Sequence, residues 1–374
     1  MKESNYTIYS TTQDAWDAMY NAIEKAKESI YWELYIFVDD EEGNRFFDLM
    51  EKKAQEGMDV KLIVDYFGSF GLSRKRVHSL KKSGVDLQFF HARRHRYRGI
   101  WRRIISRTHR KVLIVDKKIG FIGGVNVDKR MKDWLDIHLQ VQGEVVHSLL
   151  RSFAKMYIIC GGEKENLKGL IKYKTRIKKG LKNIELIIDE GRKKSRAKKK
   201  YIEALLKARE RVILFSPYYF PDKDFLFALW KARKRGVRVD LLIPFRTDVR
   251  IATYAAYGWF ALMKKYGVRV QLSQKMMHGK GVIVDDDWAM IGSSNLEFGS
   301  FHDYFEANVK IHQKDFVSKL KITVLHWIEM SVPFETLNWE KRGNIQKIKE
   351  WCALRLYRLW FKQAPDVKSK EIEH

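Results

Sequence analysis

The 374-residue chain has only two cysteines, Cys160 and Cys352, and neither stands in a metal-ligand spacing. A disulfide framework and a cysteine zinc site are thereby excluded, and a reducing compartment is expected. No window approaches the run of about 18 apolar residues that a membrane-crossing helix requires. The opening MKESNYTIYS lacks a signal-peptide pattern, so a soluble or membrane-peripheral protein is expected. Acidic residues are scarce too. Lys and Arg number 72 against 46 Asp and Glu, a formal net charge of +26, which implies an anionic partner such as nucleic acid or an acidic membrane surface. No carboxylate cluster suggests a metal ion, and no cofactor is expected.

What is present is a repeat. THRKVLIVDKKIGFIGGVN (108–126) carries His109, Lys111, Asp116, Gly123, Gly124 and Asn126, and MHGKGVIVDDDWAMIGSSN (277–295) carries His278, Lys280, Asp285, Gly292, Ser293 and Asn295 in the same order. Each asparagine lies 17 residues after its histidine. Side chains alternate across an extended strand, so His109 and Lys111 share one face while Arg110 and Val112 take the other; the first face must hold something anionic. The repeat extends further. YNAIEKAKESIYWELYIF (20–37) aligns with YIEALLKARERVILFSPYYF (201–220), EGMDVKLIVDYF (56–67) with RGVRVDLLIPFR (235–246), and KKSGVDLQFF (81–90) with KKYGVRVQLS (264–273). The offset falls from 183 at Gly84 and Gly267 to 169 at the histidines, because the first half has 14 extra residues within HARRHRYRGIWRRIISR (91–107).

Strands alternating with helices predict two homologous α/β/α sandwich domains, each with a largely parallel or mixed sheet, related by a pseudo-two-fold axis with the active site at their interface. The expected divisions are a first domain over 1–162, a basic linker over 163–182, a second domain over 183–335 and a basic amphipathic tail over 336–374.

Convergence of two histidines, two lysines and two asparagines suits a phosphodiester. The ammoniums and amides can hold non-bridging oxygens as charge builds at phosphorus, one imidazole can attack, and the other can protonate the leaving oxygen and then act as base toward an alcohol. Each histidine needs a carboxylate to fix its other ring nitrogen. Asp136, 27 residues after His109, and Glu306, 28 after His278, are the candidates. Asp116 and Asp285 are expected to brace the turns into Gly123-Gly124 and Gly292-Ser293.

The paired His-x-Lys-x4-Asp motifs, with Gly-Gly-x-Asn and Gly-Ser-x-Asn following, resemble the two signature motifs of the phospholipase D superfamily. YWELYIFVDDEEGNRF, HRKVLIVDKKIGFIGGVNV, WLDIHLQVQG and HGKGVIVDDDWAMIGSSNLEFGSFHDYFEAN resemble its bacterial cardiolipin synthases from about residue 5 to 330. The resemblance implies a two-step phosphatidyl transfer through a phosphohistidine, joining two phosphatidylglycerols with release of glycerol. It implies His109 as nucleophile and His278 as general acid and base, with the pseudo-symmetry leaving that order open, and Lys111, Lys280, Asn126 and Asn295 on the phosphate. Many such synthases carry an N-terminal transmembrane hairpin that has no match here, and Gly124 lacks the hydroxyl of Ser293.

An anionic phospholipid membrane is the expected partner, with phosphatidylglycerol as substrate and a peripheral position on the cytoplasmic face of the cell membrane. The insertion at 91–107, with Arg98, Trp101, Arg102 and Arg103, mixes basic and apolar residues suited to headgroups over an apolar boundary. In the tail, NIQKIKEWCALRLYRLWFK (344–362) aligns Ile345, Ile348, Cys352, Leu356 and Leu359, widened by Trp351 and Trp360, among Arg355, Arg358 and other basic residues. It reads as an interfacial helix or as one docked on the second domain. The basic run GRKKSRAKKK (191–200) reads as a solvated loop or a headgroup site. Alternatives of other kinds are a lipid hydrolase or metal-independent nuclease of the same superfamily, and a non-catalytic binding scaffold. The Trp-rich amphipathic segments argue against nucleic acid as the partner.

Overall fold

The structure is a computed structural model and describes residues 6–91, 106–167, 184–191, 194–337 and 339–360. The first half runs β1 (Tyr6–Thr11), α1 (Thr12–Glu24), β2 (Ser29–Leu34), α2 (Glu41–Gln55), β3 (Asp59–Asp65), α3 (Arg74–Lys82) and β4 (Asp86–Phe90). It continues with a hairpin of β5 (Val112–Val115) and β6 (Ile119–Gly123), then β7 (Leu135–Gln142) and α4 (Glu144–Ile159). The second half repeats the plan with β8 (Ile184–Glu190), α5 (Arg196–Lys207), β9 (Arg211–Phe215), β10 (Tyr219–Phe220), α6 (Lys223–Lys234), β11 (Arg238–Pro244), α7 (Arg250–Lys265) and β12 (Arg269–Ser273). There follow the hairpin β13 (Gly281–Val284) and β14 (Trp288–Gly292), β15 (Leu296–Glu297), α8 (Phe298–His302), β16 (Phe305–Ile311), α9 (Lys314–Glu329), β17 (Ser331–Pro333) and α10 (Asn344–Trp360).

The first sheet has the order β1-β7-β6-β5-β2-β3-β4, and the second β8-β16-β14-β13-β9-β11-β12-β17. Strand for strand they correspond, with β17 added at one edge. β2, β3 and β4 are parallel, as are β9, β11 and β12, and the remaining neighbours are antiparallel. The parallel strands β2, β3 and β11 are buried on both faces because helices cover both. In α1, whose start is capped by the Thr11 side chain, Ala15, Trp16, Met19 and Ile23 form the stripe that meets the sheet. These are two α/β/α sandwiches of one topology.

The sandwiches share a core. One apolar cluster joins Ile114, Ile122, Ile137 and Phe153 of the first half to Ile283, Ile291, Phe305 and Trp327 of the second, whereas the outer cores belong to one half each. Burial of this common surface fixes the halves face to face. Two short bridges cross the junction, Thr108 to Phe305 and Leu135 to Met277.

The C-terminal helix α10 is docked on α7. Its Ala353 is buried, and Leu354 packs so closely over Gly258 that a Cβ there would lie 2.3 Å from Leu354 Cδ1. Its other side leaves Ile345, Ile348, Trp351, Leu356 and Leu359 exposed.

Candidate active site

His109 and Lys111 precede β5, and His278 and Lys280 precede β13, so the four are not ladder residues. Their segments are extended but bond across the junction. The His109 N–H donates to the Phe305 carbonyl at 2.9 Å, and the His278 N–H to the Leu135 carbonyl at 2.6 Å. Each histidine is thus delivered beside the carboxylate-bearing strand of the opposite half. Alternation places Arg110 on the other side, where its Nη1 lies 3.7 Å from buried Glu33.

The carboxylates pair crosswise. Asp136 Oδ2 lies 2.7 Å from His278 Nδ1, and both Glu306 oxygens lie 3.1 Å from His109 Nδ1. A carboxylate can only accept, so each Nδ1 carries the hydrogen and each Nε2 keeps a free lone pair. All four side chains are buried. Glu306 is further held by the hydroxyls of Ser293 and of Ser300, the latter at 2.7 Å. Asp136 accepts the Ile137 N–H at 2.7 Å.

Burial, reinforced by the Lys111 charge, brings the His109 imidazole down to about 4. Burial and Lys280 likewise lower His278. Both lysines donate to the carbonyl of the histidine two residues before, Lys111 at 2.6 Å. Burial depresses both ammoniums, with Lys280 at about 8; Lys280 adds to the depression of Lys111, and Asp136 and Glu306 oppose it. Two buried ammoniums and two depressed imidazoles thus stand in one buried cluster with the carboxylates of Asp136 and Glu306.

Gly124 and Ser293 mark one difference between the halves. A Cβ on Gly124 would lie 2.1 Å from Asp136 Oδ1, so glycine makes room for the carboxylate. Ser293 turns its hydroxyl onto Glu306. The hydroxyl absent from the first half therefore belongs to the surroundings of a carboxylate. Gly123 and Gly292 are confined in the same way, since a Cβ would meet the Ile137 carbonyl at 2.3 Å or the Ala307 carbonyl at 2.4 Å.

Asp116 and Asp285 do not brace the Gly-Gly and Gly-Ser turns. Asp116 accepts the N–H groups of Lys27, Glu28 and Ser29, and Asp285 those of Arg209, Glu210 and Arg211. They tie the β5–β6 and β13–β14 hairpins to the starts of β2 and β9. The hairpins turn on residues with positive φ, +51° and +55° at Asp116 and Lys117 and +47° and +59° at Asp285 and Asp286. Those turns stand at the far end of the hairpin from the glycines, which is why the expectation fails.

Asn126 and Asn295 are buried close by. The Asn126 side-chain Oδ1 accepts the Ile36 N–H at 3.1 Å, whereas Asn295 Nδ2 donates to Glu297 Oε1 at 3.1 Å. The ring of Tyr35 stands edge-on to His109 at 5.1 Å, and Tyr304 lies 6.0 Å from it. The sequence reading missed Glu297, Ser300 and these tyrosines. Glu297 was within reach, since it matches Asp128 by the 169-residue offset.

Of the expected membrane residues, Arg98, Trp101, Arg102 and Arg103 lie outside the described residues, as do the side chains of Arg358 and Trp360. Trp351 and Arg355 are exposed, with the guanidinium 4.5 Å over the indole. Among the described residues no helix is long and apolar enough to cross a membrane, and no group of three or more His, Cys, Asp or Glu could hold a metal.

The family model described as cardiolipin synthase, PLD-like domain, matches residues 19–157 and 201–325. The chain belongs to this cardiolipin synthase family. It is 31% identical over 347 residues to cardiolipin synthase 2 of Bacillus anthracis, covering 90% of this chain and 67% of that protein. To the cardiolipin synthase of Geobacillus thermodenitrificans it is 29% identical over 356 residues, covering 93% of this chain and 70% of that one. The phosphatidylserine synthase of Haemophilus influenzae has the same fold, with a TM-score of 0.71 at 14% identity, covering 96% of this chain and 95% of that one.

Proposed function

We propose that the protein is a cardiolipin synthase, a phosphatidyltransferase that joins two phosphatidylglycerols and releases glycerol. The observation that carries this reading is the crosswise clamp, which leaves two imidazole Nε2 atoms, one from each half, beside two buried ammoniums in a site without a metal-ligand set among the described residues. Membership of the cardiolipin synthase family supports the lipid substrate.

His278 enters the first step as the imidazolium, having taken up a proton at Nε2 as the anionic substrate binds; His109 Nε2 then attacks phosphorus as the P–O bond to glycerol breaks, and His278 gives that oxygen its Nε2 proton. In the second step His278 takes the proton of the acceptor hydroxyl, which attacks phosphorus as the P–N bond breaks. Burial favours the neutral form of both rings, so the support for this order comes from their carboxylates. Glu306 divides its acceptor capacity among His109, Ser293 and Ser300, while Asp136 sits closer to His278 and better supports an imidazolium there. Lys111, Lys280 and Asn126 hold the non-bridging oxygens.

A peripheral site on an anionic bilayer is supported by three apolar groups. Phe70, 87% exposed, stands with Tyr66 and Phe67 on the loop after β3. Exposed Val249 ends the corresponding loop after β11, exposed Ile251 stands in the first turn of α7, and α10 adds its open face. Arg107 lies 4.2 Å over the Phe67 ring.

Phosphatidylglycerol vesicles incubated with the chain in EDTA are expected to yield cardiolipin and glycerol in equal amounts, and His109→Ala none. Phosphatidate as the sole product would replace the transferase reading with a hydrolase.

A further inference from the structure

The residues on either side of His109 go to one carboxylate. Thr108 Oγ1 donates to Glu33 Oε1 at 2.6 Å, and Arg110 Nη1 stands 3.7 Å from Glu33 Oε2, an ion pair longer than a hydrogen bond. Side chains alternate along an extended segment, so 108 and 110 share one face and His109 leaves from the other. Glu33 thus holds the back of the segment that presents the imidazole. Asp65 adds a third attachment, its Oδ2 accepting the Thr108 N–H at 3.0 Å while Oδ1 takes the N–H groups of Phe67 and Gly68 at 3.0 and 2.9 Å. Arg110 reaches on into the second half, with Nη2 3.5 Å from the Asp189 carbonyl. Glu33, Asp65, Thr108 and Arg110 are all buried.

The second half is built differently at each of these places. Strand pairing sets Glu33 against Phe215 and Asp65 against Pro244. The 169-residue offset sets Thr108 against Met277 and Arg110 against Gly279. Met277 is buried, and a Cβ on Gly279 would meet Ile137 and Trp327, both at 3.3 Å, so the segment of His278 rests on hydrocarbon.

One topology therefore holds its second histidine without a buried charge, and stability alone does not call for one at the first. Burial pushes the Glu33 carboxyl up, opposed by the Arg110 charge and the Thr108 hydroxyl, a desolvation penalty that the apolar half avoids. What the polar arrangement adds is direction. Apolar packing lets an extended segment slide, whereas a carboxylate with each oxygen committed fixes its register. The atom that forms a bond to phosphorus needs this most, since a misplacement of about 1 Å can cost about 10²-fold in rate.

Resting on the transferase reading above, we propose that Glu33, Asp65, Thr108 and Arg110 are positioning residues that anchor His109 for attack on phosphorus, and that the lack of this anchor behind His278 is how the duplicated halves divide the roles of nucleophile and proton carrier.

The test uses the full chain and a p-nitrophenyl phosphodiester in single turnover, where the bond from His109 Nε2 to phosphorus forms as nitrophenolate leaves, with the phosphohistidine located by mass spectrometry. Thr108→Val keeps the shape of the side chain and loses its hydroxyl, whereas Thr108→Ser keeps the hydroxyl and loses a buried methyl. The rate of nitrophenolate release per folded molecule should fall about tenfold or more in Thr108→Val and stay within about threefold in Thr108→Ser. A merely structural role would leave that rate unchanged in both and lower only their melting temperatures. Glu33→Gln, which turns an amide donor toward Thr108 or Arg110, should also lose about tenfold, and the double variant with Thr108→Val no more than the stronger single, because both act through one contact. A wild-type rate in Thr108→Val, equal losses in the valine and serine variants, or phosphate carried on His278 would overturn the proposal. If His109 is phosphorylated but phosphatidylglycerol vesicles yield no cardiolipin, the transferase reading fails and the anchor is still judged by the valine and serine variants; if no nitrophenolate is released, both fall.

Discussion

Asp136 of the first half lies 2.7 Å from Nδ1 of His278 in the second, and the reciprocal pair, Glu306 with His109, completes a clamp that neither half possesses alone. Each half supplies the nucleophilic or acidic ring of one pair and the orienting carboxylate of the other. Loss of either carboxylate is therefore felt by the histidine of the opposite motif.

Asp136→Asn is expected to lower turnover by about 10²–10⁴, since the amide reverses the hydrogen-bond demand on Nδ1. The effect should fall on the steps of His278. With a p-nitrophenyl phosphodiester, whose leaving group needs little acid help, Asp136→Asn should release one equivalent of nitrophenol and accumulate acid-labile phosphohistidine. Glu306→Gln should give no such burst. Equal behaviour of the two variants would contradict the assigned order.

Gly124→Ala places a methyl where Asp136 Oδ1 now lies, 2.1 Å from the built Cβ. The methyl would also meet Cγ and Oδ2 of Asp136 at 2.8 and 2.9 Å, so the whole carboxylate, whose Oδ2 supports His278, must shift, and turnover should fall by about 10² or more. Ser293→Gly loses one of the hydroxyls on Glu306 but creates no clash, so its loss should stay near tenfold. Steady-state rates on phosphatidylglycerol vesicles separate them.

Removing the Asp116 side chain strips acceptors from the N–H groups of Lys27, Glu28 and Ser29. These lie partly exposed, where water replaces some of the loss, so Asp116→Ala should destabilise by about 1–3 kcal/mol. Thermal unfolding measures it, and the rate per folded molecule should hold. A large drop in that rate would put Asp116 back in the chemistry.

Buried His138 sits at about 4, lowered by desolvation, and Lys111 adds to the depression. Its ordinary value is near 6.5. Between those values the unfolded chain binds more protons than the folded one, so stability rises with pH over that window and is lost on acidification from 6.5 toward 4. Asn308 holds the matching place in the second sheet, where its Oδ1 accepts the Ser294 N–H at 3.2 Å. His138→Asn should therefore flatten the fall in melting temperature between pH 6.5 and 4, leaving the parts that His109, His278 and His312 contribute. An unchanged slope would show that His138 does not titrate with unfolding.

Replacing Ile348, Trp351 and Leu359 by serine should release the chain from anionic vesicles in flotation without lowering its melting temperature, because all three are already exposed. Leu354→Ala, on the docked face over Gly258, should do the converse and lower stability by about 1–3 kcal/mol.

The amino-acid sequence by itself determined the duplication, the strand and helix order of each half and the six residues of the paired motifs, because repeat spacing and period-two or period-3.6 patterning are local properties of a chain. Only the tertiary structure decided partners. Asp136 and Glu306 each follow their own motif in sequence, yet burial of the shared apolar surface turns the halves face to face and brings each carboxylate to the other's histidine. The tail was legible as an amphipathic helix, but which side docks depends on the small groove at Gly258, and that groove sets Tyr357 against Glu297. The roles of Asp116 and Asp285 were misread for the same reason, since a hairpin's two ends lie close in sequence and far apart in space.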